Sequence, residues 1–478
     1  MKKLIWGSLL VCLSALAQAD DIKVFFNHPV DPPAQQTDLE QKIIALINTA
    51  NSTLDMAVYD LDLPGIANAM ANAKARGVTV RFITDNDNTG ADNAQALGIL
   101  NNAGVPWLDD TANGSAGSHI QHNKFVIVDG EWVLTGSSNF TQSGIHGDLD
   151  ANGNLISDGN DNHIVIIDSN QLATIYTNQF NLMWGDGPGG ALDSKFGLGK
   201  PASQMQTAYT NNDHIAIDVQ FTPQSPTVYQ GSTLYNIQAL LATAQTRIRV
   251  AQFVFSAQDL ADTMQLREQA GVNIEGVGDR SFFSRYYSEF LDMLGQEKMN
   301  TKGVPETDSY TGAPNNPWTT PVDVRMANLK DGDMFHNKYL IVDNSVLTGS
   351  HNLSGSAAFS NDENIVIIHD AQTASEFEGH FDYAYCNASY ASNCAKVSNG
   401  TWEGVNFTAA QASSILNMVN TASFTELDVN AALNKTAAQN IVNARPITSM
   451  DQLAAVSYVG SSAMQALKNY LPTWNSEL

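Results

Sequence analysis

The chain repeats itself, and that constrains its fold more than any other feature. STLDMAVYDLDLPGIANAMANAKARGVTVRFITD (52–85) matches TRIRVAQFVFSAQDLADTMQLREQAGVNIEGVGD (246–279). Each copy reads as a β-branched strand, a helix with apolar residues at three-to-four spacing, a glycine break and a second strand. Such a crossover predicts an α/β unit with a parallel-type sheet. Further on, HNKFVIVDG (122–130) matches HNKYLIVDN (336–344), and DNHIVIID (161–168) matches DENIVIIHD (362–370). Two α/β repeats follow, spanning 20–185 and 215–385, paired as a pseudo-dimer within one chain. A Gly/Pro-rich linker, 186–214, joins them, and a second linker, 386–405, leads to a helical tail at 406–478.

The first residues are read as a secretory leader. Lys2 and Lys3 precede an apolar run from Leu4 to Leu16, and Ala17-Gln18-Ala19 offers small residues for cleavage before Asp20. The run is too short to span a bilayer as a mature helix. The expected product is exported, periplasmic or extracellular, without stable membrane insertion. Losing Lys2 and Lys3 leaves 22 basic against 49 acidic residues, a net charge of −27. That field repels anionic partners, so phosphate binding must rest on local lysines. Once Cys12 leaves with the leader, Cys386 and Cys394 remain, and export favours a disulfide between them over two free thiols.

The repeated HNK phrase carries the chemistry. On a strand, side chains alternate, so His122 and Lys124 share a face and Asp129, at an odd offset, does not. Asp129-Gly130 reads as a two-residue hairpin turn that pairs Val128 with Glu131 and His122 with Ser137. The following TGSSNF returns Ser137 and Asn139 toward the histidine and lysine. The second copy supplies His336, Lys338, Ser350 and Asn352, with a turn one residue shorter. Lysine and amide donors suit a phosphate, and imidazole suits nucleophilic or acid–base work.

HxKxxxxD followed by GSxN, twice in one chain, resembles the phospholipase D superfamily. The resemblance covers both repeats. It implies that the two motifs meet at the interface of the halves in one active site. One histidine attacks phosphorus to give a phosphohistidine, the other protonates the leaving oxygen, and water hydrolyses the intermediate. The lysines and asparagines hold the non-bridging oxygens, and no metal is required. Carried over by position, the catalytic set is His122, Lys124, Asp129, His336, Lys338, Asp343 and Glu363; the substrate-binding set is Ser137, Asn139, Ser350 and Asn352. Of these, Asp129 and Asp343 are motif members with turn or supporting roles. Glu363 in NDEN fits the carboxylate that orients a catalytic imidazole. The matching first-half stretch, NDNH, departs from the family by placing Asn162 there, with Asp161 beside it. The usual order makes His122 the nucleophile and His336 the acid.

Two regions leave alternatives open. Asp148, Asp150, Asn152 and Gly153 open like a calcium loop, but position twelve is Gly159 rather than Glu; a solvated loop is the preferred reading over a structural calcium site at 148–158. The tail resembles the tandem helix-hairpin-helix domain of bacterial competence-type DNA receptors, through NTAS (420–423) with Leu427, AAQNIVNAR (437–445), SMDQLAAV (449–456) and VG (459–460). Its hairpins read Ala432-Leu433-Asn434 and Tyr458-Val459-Gly460, with one glycine of the four that resemblance implies, and its cations are Lys435, Arg445 and Lys468. DNA binding and a protein-contact role both fit. The expected protein is a monomeric phosphodiesterase with an internal pseudo-twofold, nucleic acid its preferred substrate. Phospholipid is the alternative, and an inactive phosphate- or DNA-binding protein the third reading.

Overall fold

The computed structural model describes residues 21–29, 37–112, 119–388, 400–407, 409–445, 447 and 449–477. The leader (1–19) and Cys394 lie outside the described residues; Cys386 is disulfide-bonded. The first repeat contributes β1 (Ile22–Phe26), β2 (Thr53–Val58), β3 (Thr79–Thr84), β4 (Trp107–Asp109), β5 (Lys124–Val128), β6 (Trp132–Gly136) and β7 (His163–Asp168), in sheet order β1-β7-β6-β5-β2-β3-β4. The second contributes β8 (Gln206–Tyr209), β9 (Ala216–Phe221), β10 (Arg247–Gln252), β11 (Asn273–Gly278), β12 (Asp323–Met326), β13 (Lys338–Val342), β14 (Ser345–Gly349) and β15 (Asn364–Ile368), in order β12-β11-β10-β13-β14-β15-β9-β8.

The crossovers give parallel pairs, β2–β3 and β10–β11, as their strand–helix–strand pattern requires. The sheets are nonetheless mixed rather than parallel-type, because each HNK strand enters antiparallel beside the first crossover strand. The expected linker 186–214 also contains a strand: β8 extends the second sheet by pairing with β9.

Strand alternation divides the core. Val165 and Ile167 of β7 and Val366 and Ile368 of β15 face a core shared by both repeats; Ile164 and Ile166 face the first repeat's outer core, and Ile365 and Ile367 the second's. The helices Asn170–Trp184 and Ala371–Asn387 supply Tyr176, Phe180, Phe377 and Phe381 to the shared layer. Burying such large rings between two sheets stabilises the pairing of the halves through the area removed from water. Among the described residues, no helix is long and apolar enough to cross a membrane.

The tail has its own core, formed around Ile415, Leu427, Ile441, Leu453 and Leu467. A short hairpin of β16 (Gly400–Trp402) and β17 (Val405–Phe407) precedes its helices, so the tail is not helical throughout and part of the expected 386–405 linker is strand. Ala432 and Tyr458 adopt positive φ of 54° and 72°, the backbone that glycine would give at these hairpins. The helix-hairpin-helix geometry thus survives the loss of its glycines.

Candidate active site

Each HNK strand is led into the site by the other repeat. The His122 amide donates to the Asp362 carbonyl at 2.9 Å, and the Asp362 amide returns a bond to the Ile120 carbonyl at 3.0 Å. The same exchange joins His336 to Asp161 at 2.9 Å and Asp161 to Met334 at 2.8 Å. This crossed pairing brings β15's entry beside His122 and β7's entry beside His336. His122 Nδ1 therefore meets Glu363 Oε2 at 2.8 Å, and His336 Nδ1 meets Asn162 Oδ1 at 3.0 Å. Asp161 does not partner a motif histidine: its Oδ1 accepts from His380 Nε2 at 2.9 Å and Asn337 Nδ2 at 2.8 Å.

Lys124 Nζ donates to the His122 carbonyl and Lys338 Nζ to the His336 carbonyl, each at 2.9 Å; Lys338 Nζ also lies 3.0 Å from His336 Nε2. All four side chains are buried. Burial, with Lys124 and Lys338 alongside, holds His122 well below the usual imidazole range, against a pull upward from the Ser350 backbone. Burial, then Lys338, Lys124 and His122, does the same to His336. Burial lowers Lys124 to about 7, opposed by Glu363, Asp60 and Asp85. Lys338 falls well below its usual value through burial and the neighbouring Lys124. Burial raises Glu363, with Lys124 and His351 pulling it back. Desolvated bases clustered around one carboxylate favour an incoming anion, which restores charge to the lysines.

The hairpins differ from the expected register in one respect. Val128 pairs with Trp132, not Glu131: Asp129 and Gly130 take positive φ, 55° and 66°, and the Glu131 amide donates to the Val128 carbonyl at 3.0 Å, but Glu131 stays in the turn and the strand resumes at Trp132. By extension His122 lies opposite Ser138 rather than Ser137. The second turn is shorter, pairing Val342 with Ser345. Asp129 and Asp343, counted with the catalytic set, are removed from it by the length of their strands. Asp129 Oδ1 accepts from the Ser52 and Thr53 amides at 2.7 and 2.9 Å, and Asp343 Oδ1 from those of Thr246 and Arg247 at 2.8 and 3.0 Å. They pin the turns to the starts of β2 and β10.

Ser137 and Ser350 are fully buried supports rather than free donors. Ser137 Oγ donates to Asn162 Oδ1 at 2.9 Å, and Ser350 Oγ accepts from the Asn364 amide at 3.0 Å. Asn139 and Asn352 are half-buried, and each Oδ1 has no protein partner. At 148–158 Asp150 Oδ1 accepts from the Asn152 and Asn154 amides at 2.8 and 2.9 Å, so that carboxylate forms its own turn. Among the described residues, the one trio of His, Cys, Asp or Glu ligand atoms within 4.8 Å of one another is Asp38, Glu40 and His146, outside this loop.

Several site residues escaped the motif reading. Tyr59 packs edge-on against His122 at 5.1 Å and Phe253 against His336 at 4.7 Å. Their matching places in the repeated strand were the available signal. Asn123 and Asn337, the middle letters of HNK, lock the halves together: Asn123 Oδ1 accepts from Asn364 Nδ2 at 3.1 Å, and Asn337 Nδ2 donates to Asp161.

A family model described as "Cardiolipin synthase, PLD-like domain" matches residues 43–184 and 237–385, and a helix-hairpin-helix motif model matches 418–472. The chain belongs to the phospholipase D-like family. As a phospholipase D-like protein it carries two repeats of that domain and a helix-hairpin-helix unit. It is 32% identical over 153 residues to a mitochondrial cardiolipin hydrolase of Xenopus tropicalis, a match covering 32% of this chain and 64% of that protein. The chain thus spans just under two thirds of that relative's length. It is 36% identical over 112 residues to a phospholipase D of Rickettsia prowazekii, covering 23% of this chain and 50% of that protein. Among solved structures, phosphatidylserine synthase of Haemophilus influenzae aligns over 76% of this chain and 86% of its own, with a TM-score of 0.51 and 14% identity. That likeness concerns the phospholipase D-like fold alone.

Proposed function

We propose that the protein hydrolyses nucleic-acid phosphodiesters through a phosphohistidine intermediate, without a metal. The observation that carries this reading is the convergence of His122, Lys124, His336 and Lys338 from two repeats around Glu363. With Nδ1 of His122 committed to Glu363, Nε2 is left to attack phosphorus. Lys124, Lys338 and the side-chain Nδ2 donors of Asn139 and Asn352 hold the non-bridging oxygens. Nucleic acid is favoured as substrate by the helix-hairpin-helix unit, whose first helix, Ala409–Thr421, packs along Ala371–Asn387 of the second repeat. The test is EDTA-treated protein incubated with single-stranded DNA, duplex DNA, and phosphatidylcholine or cardiolipin vesicles. DNA cleavage with lipids intact is expected; lipid cleavage with DNA intact overturns the substrate.

A specific observation supports phospholipid as the second reading. The 148–157 hairpin exposes Leu149, Leu155 and Ile156 (48, 60 and 58%), and its return leads directly to Asn162. Apolar side chains there would suit a lipid surface. The names of the Xenopus and Rickettsia relatives point the same way.

Export and action as a monomer complete the proposal. The disulfide at Cys386 suits an oxidising compartment. Mass spectrometry of the protein from the periplasm or medium should find Asp20 at its start, and light scattering one chain per particle; an intact leader or a dimer contradicts the respective claim.

A further inference from the structure

The linker between the repeats reaches the active site from behind. Phe196 is buried in the core shared by both repeats and anchors the segment. Gly197 follows with a φ of 53°, the left-handed backbone that glycine adopts without strain, and opens a single turn, Gly197–Gly199. The bend aims the Gly197 amide at the Asp362 carboxylate, 3.1 Å from Oδ1 and 3.0 Å from Oδ2. Lys200 ends the turn. Its Nζ pairs with Asp362 Oδ1 and donates to the Thr222 carbonyl at 2.9 Å. Both charged side chains are only 4% exposed. A carboxylate so far from water needs donors and a cation, and the linker supplies both.

The residues it holds are those that meet His122. The Asp362 backbone exchanges bonds with the strand carrying His122, and Glu363 is the next residue. Thr222, just past β9, brackets them: its Oγ1 donates to the Asn361 carbonyl at 2.7 Å and accepts from the Glu363 amide at 2.9 Å, while its own amide donates to the Glu363 carbonyl at 3.0 Å. Lys200 thus ties together the two supports of residues 361–363. Asp161, at the matching place in the first repeat, is held instead by Asn337 and His380 of the second. Gly197, Lys200 and Thr222 all lie outside the stretches that the family model matches, 43–184 and 237–385.

Resting on the phosphohistidine reading, we propose that the linker is a working part of the active site, with Lys200 the positioning residue that seats Asn361, Asp362 and Glu363 against His122. Lys200 touches no reacting atom. Its effect passes through Asp362 and Thr222 to the backbone beside His122 and to the Glu363 carboxylate. Without its cation, Asp362 holds a buried charge that only solvent relieves, and turning toward solvent draws the start of β15 away from His122. A displacement of about 1 Å in groups that orient a reacting atom slows the reaction by about a hundredfold. Lys124 and Lys338 meet the anion from the HNK strands, so substrate affinity does not depend on Lys200.

The test is a single-turnover assay of the full chain in EDTA with bis(p-nitrophenyl) phosphate, run well below each variant's melting temperature. Lys200→Met should slow nitrophenol release at saturation by about a hundredfold. The half-saturating concentration should stay within about twofold, since binding is untouched. Asp362→Asn alone strands the Lys200 charge and should be slow as well. Lys200→Met combined with Asp362→Asn removes both charges, keeps an oxygen for the Gly197 amide, and should recover the rate to within about fivefold of wild type. Should the single variants not fold, Lys200→Arg, which keeps the charge on a longer forked head, should show the same slowing at unchanged half-saturation. A rate equal to wild type in the folded single variants, a loss seen only as weaker binding, or a double variant as slow as either single one overturns the role of Lys200 while leaving the chemistry intact. A wild type that turns over yet forms no phosphoenzyme detectable by mass defeats the phosphohistidine reading itself.

Discussion

The Asp129 carboxylate meets the Thr53 amide at 2.9 Å, across 76 residues of chain, and touches neither the imidazole nor the ammonium of its own motif. Asp343 repeats the contact with Thr246 at 2.8 Å. Although burial opposes it, hydrogen bonding from Thr53, Ser52 and Asn51 holds the Asp129 carboxyl below its ordinary range. Asp129→Ala should therefore cost about 2 kcal/mol of stability, as expected for amides losing a charged acceptor. Activity per folded molecule should stay within a few-fold. Urea unfolding and assays well below the transition check both. A carboxyl depressed on folding contributes stability above its unfolded value of 3.8, lost as pH falls through the lower folded value. The wild-type to Asp129→Ala difference in melting should shrink over that acid range.

Anion binding should depend on pH with a defined sign. Burial lowers Lys124 to about 7, so it becomes neutral as pH rises toward 9, and burial with Lys124 alongside takes Lys338 well below its usual range. Only the cationic forms attract an anion. Sulfate, whose own charge is constant between pH 6 and 9, should bind progressively more weakly, by up to about tenfold per unit above the Lys124 value. Calorimetric titration across this range measures it; a flat Kd would contradict the buried-ammonium picture.

Much of this site was legible because the chain states it twice. Repetition of HNK and GSxN named His122, Lys124, His336 and Lys338, and strand parity moved Asp129 off their face. Turn length was less legible: an Asp-Gly pair does not reveal that Glu131 joins the turn, and the register slipped by one residue. The crossed pairing of Asp362 with His122 was invisible, since a strand pattern carries no label for the repeat it will pair with. The tail's fold was legible despite its missing glycines, because Ala432 and Tyr458 adopt the left-handed backbone with their side chains in place.

Lys298 of the second repeat lies in a buried charge cluster: its Nζ is 3.0 Å from Glu289 Oε2 and 3.7 Å from Asp292 Oδ1, with all three side chains fully buried. Lys298→Met should destabilise the protein by about 3–5 kcal/mol by leaving two carboxylates without their cation. Burial already raises Glu289 well above its usual range, with Lys298 opposing and Asp292 adding. The deficit should shrink at lower pH as Glu289 takes up a proton. Thermal melts of both proteins between pH 5 and 8 test this.

In the tail, Arg445 Nε donates to the Val419 carbonyl at 2.7 Å, and Lys468 Nζ to that of Asn406. Two of its three cations are thus occupied internally. Arg445→Ala should lower the unfolding temperature of the tail within the full chain, whereas Ala432→Gly should raise it by relieving about 1 kcal/mol of left-handed strain. Hydrogen exchange confined to residues 409–477 reads both changes, and equal protection in all three proteins would refute them.

The crossed partnership of imidazoles also bears on why both repeats share one chain. Two identical subunits would hand each histidine the same partner, two carboxylates or two amides. Covalent fusion lets residues 162 and 363 drift apart, and each drift is felt in the opposite half. The asymmetry of the two imidazoles is thus a property of the single joined chain, in which residue 363 is a glutamate and residue 162 an asparagine.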